Sequence, residues 1–405
     1  MRVLAICQED PEWILGGMGR HVRELYRAMA EQGVSVDILT SGPAEGTTEY
    51  LGCQKHHADK LVCWKPRQPD MSSLLVADIQ LTKTLARLIA QGRRWDVVHV
   101  HEWNALQVAR IARDALDVPL VGTMHLCITD LTLQEWTTET KYQETDLYLM
   151  QQEGHLVVGV DELILCSRAY ERTARRVFMT DRPVNVIHNG IRAREWARDP
   201  VLAARVLEKY GLADLNRPIA LFVGRIADMK GIRPLLDAVE TRDTGYQIVV
   251  AGEVNANTEE DKERWDVTHR LRKLCEEFPE RVKWVGFQDD DADLRGLYSA
   301  ADVGLMPSIN EPFGIVALEF MAAGVPLIST EVEGLGEIVT EDDQEFSLII
   351  EPGSASDIVE ALTFLRYNRP AKAELSALGL QRVEDFTWQD AAAKTREVYE
   401  NVKAA

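Results

Sequence analysis

Short runs of β-branched and other apolar residues recur along the chain: VLAI, VSVDIL, VVHV, PLVGT, ELILC and VNVI, then IALFV, QIVVAG, VKWVG, DVGLM, PLIST and SLII. Between many of them the apolar positions fall three or four apart, as in GRHVRELYRAMAEQG and GIVALEFMAAG, which is the spacing of a helix packed on one face. Strand followed by helix, repeated, predicts parallel sheets covered on both sides. The pattern occurs twice. Two doubly wound, Rossmann-like α/β domains are therefore expected, with a boundary near residue 195, where NGIRAREWARDPVLAARVLEKYGLADLNRP reads as a loop and a short helix. Ligands of such sheets bind beyond the carboxyl ends of the strands, so a ligand is expected in a cleft faced by both sheets.

The totals narrow the class. At 405 residues the chain exceeds the size at which a single core stops growing. An apolar fraction of 46% and a charged fraction of 27% belong to an ordinary globular protein. The formal net charge of −20 repels phosphate backbones, so nucleic acid is not an expected partner. No run approaches the roughly 18 apolar residues of a spanning helix. MRVLAICQED lacks the basic flank and cleavage site of a signal peptide, and a cytoplasmic location is the expectation. The scattered cysteines (Cys7, Cys53, Cys63, Cys127, Cys166, Cys275) suit reduced thiols. In CQKHHADKLVC, the set Cys53, His56, His57 and Cys63 matches no usual zinc spacing and reads as a solvated loop entering the strand of Cys63.

The candidate chemistry begins in NEPFGIVALEF, where Glu311 and Glu319 stand eight positions apart. Pro312 suits a helix's first turn, so Glu311 is placed in the loop and Gly314 to Met321 on the helix. Eight helical residues advance roughly 12 Å, which does not suit the carboxyl pair about 5 to 5.5 Å apart of a retaining glycosidase. An inverting pair stays open on spacing alone. The favoured reading is a helix N-terminus whose free amides attract an anion such as phosphate, flanked by two carboxylates that accept hydrogen bonds from ligand hydroxyls. Two solvated glutamates around a helix start are the bland alternative. In LFVGRIADMKG, Arg225 and Lys230 follow a strand end, where two cations meet a diphosphate and stabilise it as it leaves. In WILGGMGRHV, Gly16, Gly17 and Gly19 do not form GxGxxG, but paired glycines let amides approach phosphate. His125 lies just beyond the strand ending near Thr123; a lone histidine there is more often structural than catalytic.

Together these stretches resemble the retaining glycosyltransferases of the GT-B fold, most closely the large family four, over nearly the whole chain. GGMGRHV is similar to its glycine loop, VIHNGI to its asparagine-glycine signature, GRIADMKG to its phosphate-binding stretch and EPFGIVALEFMAAGVPLIST to its E-x7-E motif. FTWQDAAAKTREVYENV looks like its closing helix, which crosses back to the first domain. The resemblance implies an acceptor-side domain over residues 1–195, a nucleotide-sugar domain over 196–385 and a crossing helix over 386–405. It assigns the Gly17 amide, beside Gly16, to the diphosphate, with Arg225 and Lys230 as its clamp. Glu319 is assigned to the ribose, Glu311 to the donor hexose, and the amides of Phe313, Gly314, Ile315 and Val316 to sugar and phosphate. Phe287 is placed at the nucleobase and His125 at the reacting centre. No residue need be a covalent nucleophile.

Some positions depart from the family pattern. Arg192 follows asparagine-glycine-isoleucine where aspartate is usual, and Glu333 and Gly336 stand where a second glycine and a proline usually precede EIV. The lysine-bearing glycine loop of bacterial starch and glycogen synthases is missing, which argues against ADP-glucose and a glucan acceptor. Asp289 to Asp293 suggest the metal-binding acids of the other glycosyltransferase fold, yet Arg225 and Lys230 supply the charge a metal would, and metal independence is expected. For the acceptor, Trp136 and Tyr142 are candidates to stack on sugar rings, against an ordinary amphipathic helix. Arg168, Arg172, Arg175 and Arg176 invite weak peripheral contact with an anionic membrane, though a solvated helix face is the favoured reading. The expected activity is transfer of a hexose, best glucose from UDP-glucose, to a saccharide, lipid-linked or small-molecule acceptor in polysaccharide or glycoconjugate synthesis. Its rivals are a sugar-nucleotide epimerase of the same architecture and a non-catalytic nucleotide-sugar-binding module.

Overall fold

The computed structural model describes residues 1–12, 16–42, 44, 46–58, 71–135, 144–212, 217–253 and 262–404. The chain forms two compact units, Met1–Asn189 with Trp388–Ala405, and Gly190–Thr387. The division falls at residue 190 rather than near 195, because the Ile191 amide bonds to the Phe386 carbonyl at 2.9 Å and Ile191 bridges to Thr387. The two segments by which the chain enters and leaves the second unit are thereby tied together. Likewise the second unit ends at Thr387 rather than 385.

In the first unit the described strands are β1 (Arg2–Cys7), β2 (Ser35–Thr40), β3 (Thr47–Tyr50), β4 (Cys53–His57), β5 (Val97–His101), β6 (Leu120–Met124), β7 (Glu162–Leu165) and β8 (Asn185–Val186). They form one sheet in the order β3-β4-β2-β1-β5-β6-β7-β8. Every neighbouring pair is parallel except β3 with β4. β1, β5 and β6 are buried almost throughout, which is why they read as unbroken apolar runs. β4 corrects the expectation of a solvated loop: Lys55, His56 and His57 are buried, with Lys55 Nζ 3.0 Å from Asp10 and His56 Nε2 2.8 Å from Asp37. Polar side chains occupy an interior strand because each finds a charged partner. Cys63 lies outside the described residues, and the cysteines described carry no disulfide.

Helix Trp388–Ala404 packs on helix Gly17–Glu31. Their interface is threaded by a buried polar chain. Tyr399 OH lies 2.6 Å from His99 Nδ1, Tyr26 OH lies 3.0 Å from the same nitrogen, and His99 Nε2 lies 2.7 Å from Thr123 Oγ1. Burial holds the His99 imidazole neutral, well below its ordinary 6.5.

The second unit holds β9 (Ile219–Val223), β10 (Gln247–Ala251), β11 (Val282–Gly286), β12 (Val303–Met306), β13 (Leu327–Ser329), the hairpin strands β14 (Thr340–Glu341) and β15 (Gln344–Glu345), and β16 (Leu348–Ile349). Its parallel sheet runs β11-β10-β9-β12-β13-β16 over a core that includes Phe222, Leu235, Val250, Leu305 and Leu362. The stretch read as a linker is part of this unit: helix Pro200–Lys209, capped by Asp199, lies against helix Asp291–Ala300. Gly296 permits that contact, since a Cβ there would sit 2.6 Å from the Leu202 carbonyl. Among the described residues no helix is long and apolar enough to cross a membrane. On helix Arg168–Phe178, Arg175 and Arg176 are held by Glu171 and Asp130, each at 2.8 Å, so less free charge faces outward than the sequence count suggests.

Gly231 has φ +72, and a Cβ on it would lie 1.8 Å from the Pro307 carbonyl oxygen. Gly231→Ala is expected to destabilise the second unit by about 3 kcal/mol or more, measured by denaturant unfolding. His99 gives a pH signature of defined sign. Its folded pKa is depressed, so the unfolded chain binds the proton first as pH falls below 6.5. That stability is complete above 6.5 and lost below it, at up to about 1.4 kcal/mol per pH unit. Thermal unfolding between pH 7.5 and 5 is expected to show a shallower acid slope in His99→Gln; equal slopes would refute the assignment.

Candidate functional site

The second unit assembles most of the predicted residues at the carboxyl ends of β9 and β12. After β9 the chain turns at Gly224, which can approach β10 because Gly252 has no Cβ; one would lie 1.8 Å from the Gly224 carbonyl oxygen. Arg225 follows, half-buried, its guanidinium 3.6 Å from Met229 Sδ. A short turn, Asp228–Lys230, closes on Gly231. The Met229 carbonyl accepts from the Ile309 and Asn310 amides at 2.8 and 3.1 Å, so the loops after β9 and β12 are fixed to each other.

That fixing brings Lys230 Nζ to 2.6 Å from Glu311 Oε2, and Ser308 Oγ donates to the same oxygen at 3.4 Å. Glu311 is 7% exposed. The cation assigned to phosphate and the carboxylate assigned to sugar thus form one ion pair, a link the sequence reading did not draw. Lys230 keeps further N–H donors for a ligand, and Glu311 its second oxygen. The Glu311 carbonyl accepts from the Gly334 amide at 3.1 Å. Beside it Glu333 takes φ +43, a left-handed conformation costly for a side-chain-bearing residue, at a position where glycine is usual in the family it resembles.

Helix Ile315–Ala322 begins one residue later than expected, because Gly314, at φ +105, is its N-cap and Pro312 lies in the loop before it. The Ala317 amide already bonds to the Gly314 carbonyl at 2.9 Å; the amides of Ile315 and Val316 have no carbonyl ahead of them in the helix. The first turn carries no acidic residue. Phe313 is buried with its ring edge-on to Phe386 at 5.9 Å. Glu319 is almost wholly enclosed, at 2% exposure, and accepts from Tyr298 OH at 2.5 Å. Tyr298 was missed because it comes from helix Asp291–Ala300, behind the site, with no local signal. Phe287 is half-buried after Gly286 at the end of β11. Within Asp289 to Asp293, Asp290 caps a helix through the Ala292 amide at 2.8 Å, and Asp293 pairs with Lys209 and Arg205.

The first unit places Gly16 as the N-cap of helix Gly17–Glu31. The Gly16 amide donates to Glu9 Oε1 at 3.1 Å, and a Cβ on Gly19 would lie 2.5 Å from the same oxygen. A carboxylate of the chain itself therefore sits at this helix start, while among the described residues nothing lies within 4 Å of where a Cβ on Gly17 would be. Glu9 was not legible as a site residue.

His125 follows β6 as expected, but it is not a lone histidine. His101 Nδ1 lies 3.1 Å from His125 Nε2, and the His21 ring centroid is 4.6 Å from that of His125. Burial drives all three downward, His21 to about 4 and the others well below 6.5, so each is neutral at pH 7. The amides of His125 and Leu126 donate to Glu102 Oε1 at 2.5 and 2.9 Å. Glu102, in a left-handed conformation at φ +70, is pushed up to about 8 by burial and by Glu153. The signal for His101 and Glu102 was HVHEW, a polar run closing an apolar strand. Trp136 and Tyr142 lie outside the described residues.

Comparison with known proteins gives the constellation its context. Residues 207–380 match the model described as glycosyl transferases group 1, and residues 16–190 that of a glycosyl transferase 4-like domain. Alpha-maltose-1-phosphate synthase of Mycobacterium tuberculosis is 30% identical over 419 residues, covering 100% of both chains. Glycogen synthase of the same organism is 29% identical over 427 residues, covering 98% of this chain and 94% of its own. Sucrose-phosphate synthase from Thermosynechococcus elongatus superposes with a TM-score of 0.81 at 23% identity, covering 100% of this chain and 99% of that one. The chain belongs to the group 1 glycosyltransferases and has their GT-B fold.

Proposed function

We propose that the protein is a retaining hexosyltransferase that moves glucose from UDP-glucose to a saccharide, lipid-linked or small-molecule acceptor. The observation that carries this reading is the Lys230–Glu311 pair beside the open first turn of helix Ile315–Ala322. A diphosphate seated on the Ile315 and Val316 amides meets the remaining Lys230 donors and the Arg225 guanidinium. The negative charge that develops as UDP departs falls on groups already in position. Glu311, held by Lys230, accepts from a hexose hydroxyl, and the second oxygen of Glu319 accepts from the ribose. In the first unit the assigned contacts are the Gly17 amide to phosphate and neutral His125 to the sugar. The acceptor attacks on the face the diphosphate leaves, so configuration is retained, and the departing charge needs no metal.

UDP-glucose as donor is supported by the fold neighbour HepE of Anabaena, whose structure was solved in complex with UDP-glucose at 17% identity. ADP-glucose is the second reading. It is favoured by the glycogen synthase relative and by starch synthase IV of Arabidopsis thaliana, solved bound to ADP and acarbose. A thermal-shift panel of UDP-, ADP- and GDP-sugars separates them, since a donor at a hundred times its Kd stabilises by about 2.7 kcal/mol. An epimerase would convert UDP-glucose to an isomer without acceptor, and a binding module would turn over nothing.

Lys230→Met is expected to lower UDP release in the presence of an acceptor extract by about 10²- to 10³-fold, the usual loss when one preorganised donor to developing charge is removed. Turnover within tenfold of the native chain would remove Lys230 from the mechanism. Glu319→Ala is expected to weaken UDP-glucose binding, read by the same thermal shift.

A further inference from the structure

We propose that His21, His101 and His125 form a binding site for a single divalent transition-metal ion with zinc's preference for imidazole. Three elements supply the ligands: the first helix, the end of β5 and the residue after β6. One ring nitrogen of each lies within 4.8 Å of the others.

The hydrogen bonds fix which nitrogens face inward. His21 Nδ1 lies 2.6 Å from Asn189 Oδ1, an acceptor, so Nδ1 carries the hydrogen and Nε2 the bare lone pair. His21 is 5% exposed, and its Nε2 is buried with no hydrogen-bond partner among the described residues. A buried acceptor stranded in this way is destabilising, and a bound cation would offset that cost. His101 Nε2 lies 2.6 Å from Tyr26 OH. Donation from Nε2–H to that oxygen leaves His101 Nδ1 as the lone pair turned towards His125. With the site empty, His125 Nε2–H donates to it at 3.1 Å. On metal binding His125 takes the other neutral tautomer through solvent exchange, and its Nε2 joins the set without net loss of a proton.

The spacing suits this ligand. Zinc–nitrogen bonds of about 2.0–2.1 Å in a tetrahedron place the nitrogens roughly 3.3 Å apart. His101 and His125 already meet that separation, and the longest separation must close by roughly 1.5 Å. An acceptor carbonyl on the far nitrogen, as Asn189 Oδ1 provides for His21, is the usual way a metal-binding imidazole is oriented. The other histidine cluster fails the same test. His56 Nε2 is bonded to Asp37 at 2.8 Å, and the Lys55 ammonium stands 3.0 Å from Asp10 beside His57. A cation already occupies that cluster.

None of the three histidines is among the groups proposed above to hold the diphosphate. If His125 contacts the sugar, a consequence that rests on the proposed function, a ligated His125 is withdrawn from it and the metal inhibits. Metal-stripped full-length protein titrated with Co2+ is expected to show the intense visible absorption of a tetrahedral nitrogen-rich site at one ion per chain, displaced by Zn2+. Asn189→Ala is expected to weaken binding about 10- to 100-fold with unchanged circular dichroism. His21→Ala should abolish it, and His269→Ala, exposed in the second unit, should leave it intact. Absence of the tetrahedral spectrum, or a spectrum indifferent to both His21→Ala and Asn189→Ala, would overturn the proposal. The spectrum needs no turnover, so failure of the transferase reading would leave this test standing; inhibition of UDP release by Zn2+ that vanishes in Asn189→Ala would link the two.

Discussion

Two backbones in van der Waals contact decide the geometry of the second unit's site. The turn after β9 and the loop after β12 meet where Gly231 lies against the Pro307 carbonyl and the Met229 carbonyl takes the Ile309 and Asn310 amides. No side chain is needed for that contact, and one would prevent it. Lys230 and Glu311 inherit their positions from it, one residue before the glycine and four after the proline. Their 2.6 Å pairing is a result of main-chain packing rather than its cause. A pair with both members largely shielded from water keeps its geometry because the desolvated alternative, one charge alone, is far more costly.

The first unit solves a different problem. Its strands end in polar side chains, His99, His101 and Thr123, that sit within a sheet otherwise read as apolar. Each is tolerated because a hydroxyl or another imidazole answers it. The result is a layer of neutral rings continuous from Tyr399 to His125, in which a change at either end alters the hydrogen-bond pattern of the next ring.

Much of this was legible in the sequence. Every apolar run named at the outset became a strand, because parallel strands buried on both faces must be apolar along their length. The strand end at Val223, the loop carrying Glu311 and the helix after it followed from glycine and proline chemistry. β3 and β4 were missed because TTEY and CQKHH are polar: β3 is largely exposed, and the burial of β4 depends on Asp10 and Asp37 reached across the fold. Glu9 and Tyr298 were illegible for the same reason: each acts on a residue distant in the chain or on a backbone amide. The Lys230–Glu311 pair spans 81 positions, and no local pattern announces it.

The first unit is built from both ends of the polypeptide, with the whole of the second inserted in it. During synthesis from the amino end, β1 to β8 emerge long before Trp388 to Ala404, and the Tyr399 hydroxyl that His99 requires arrives only after the whole second unit. The nascent chain therefore carries an unsealed seam along helix Gly17–Glu31 until helix Trp388–Ala404 emerges, while the inserted unit is free to fold first. Loss of even the last turns of helix Trp388–Ala404 would leave the second unit intact and the first without the partner of its opening helix.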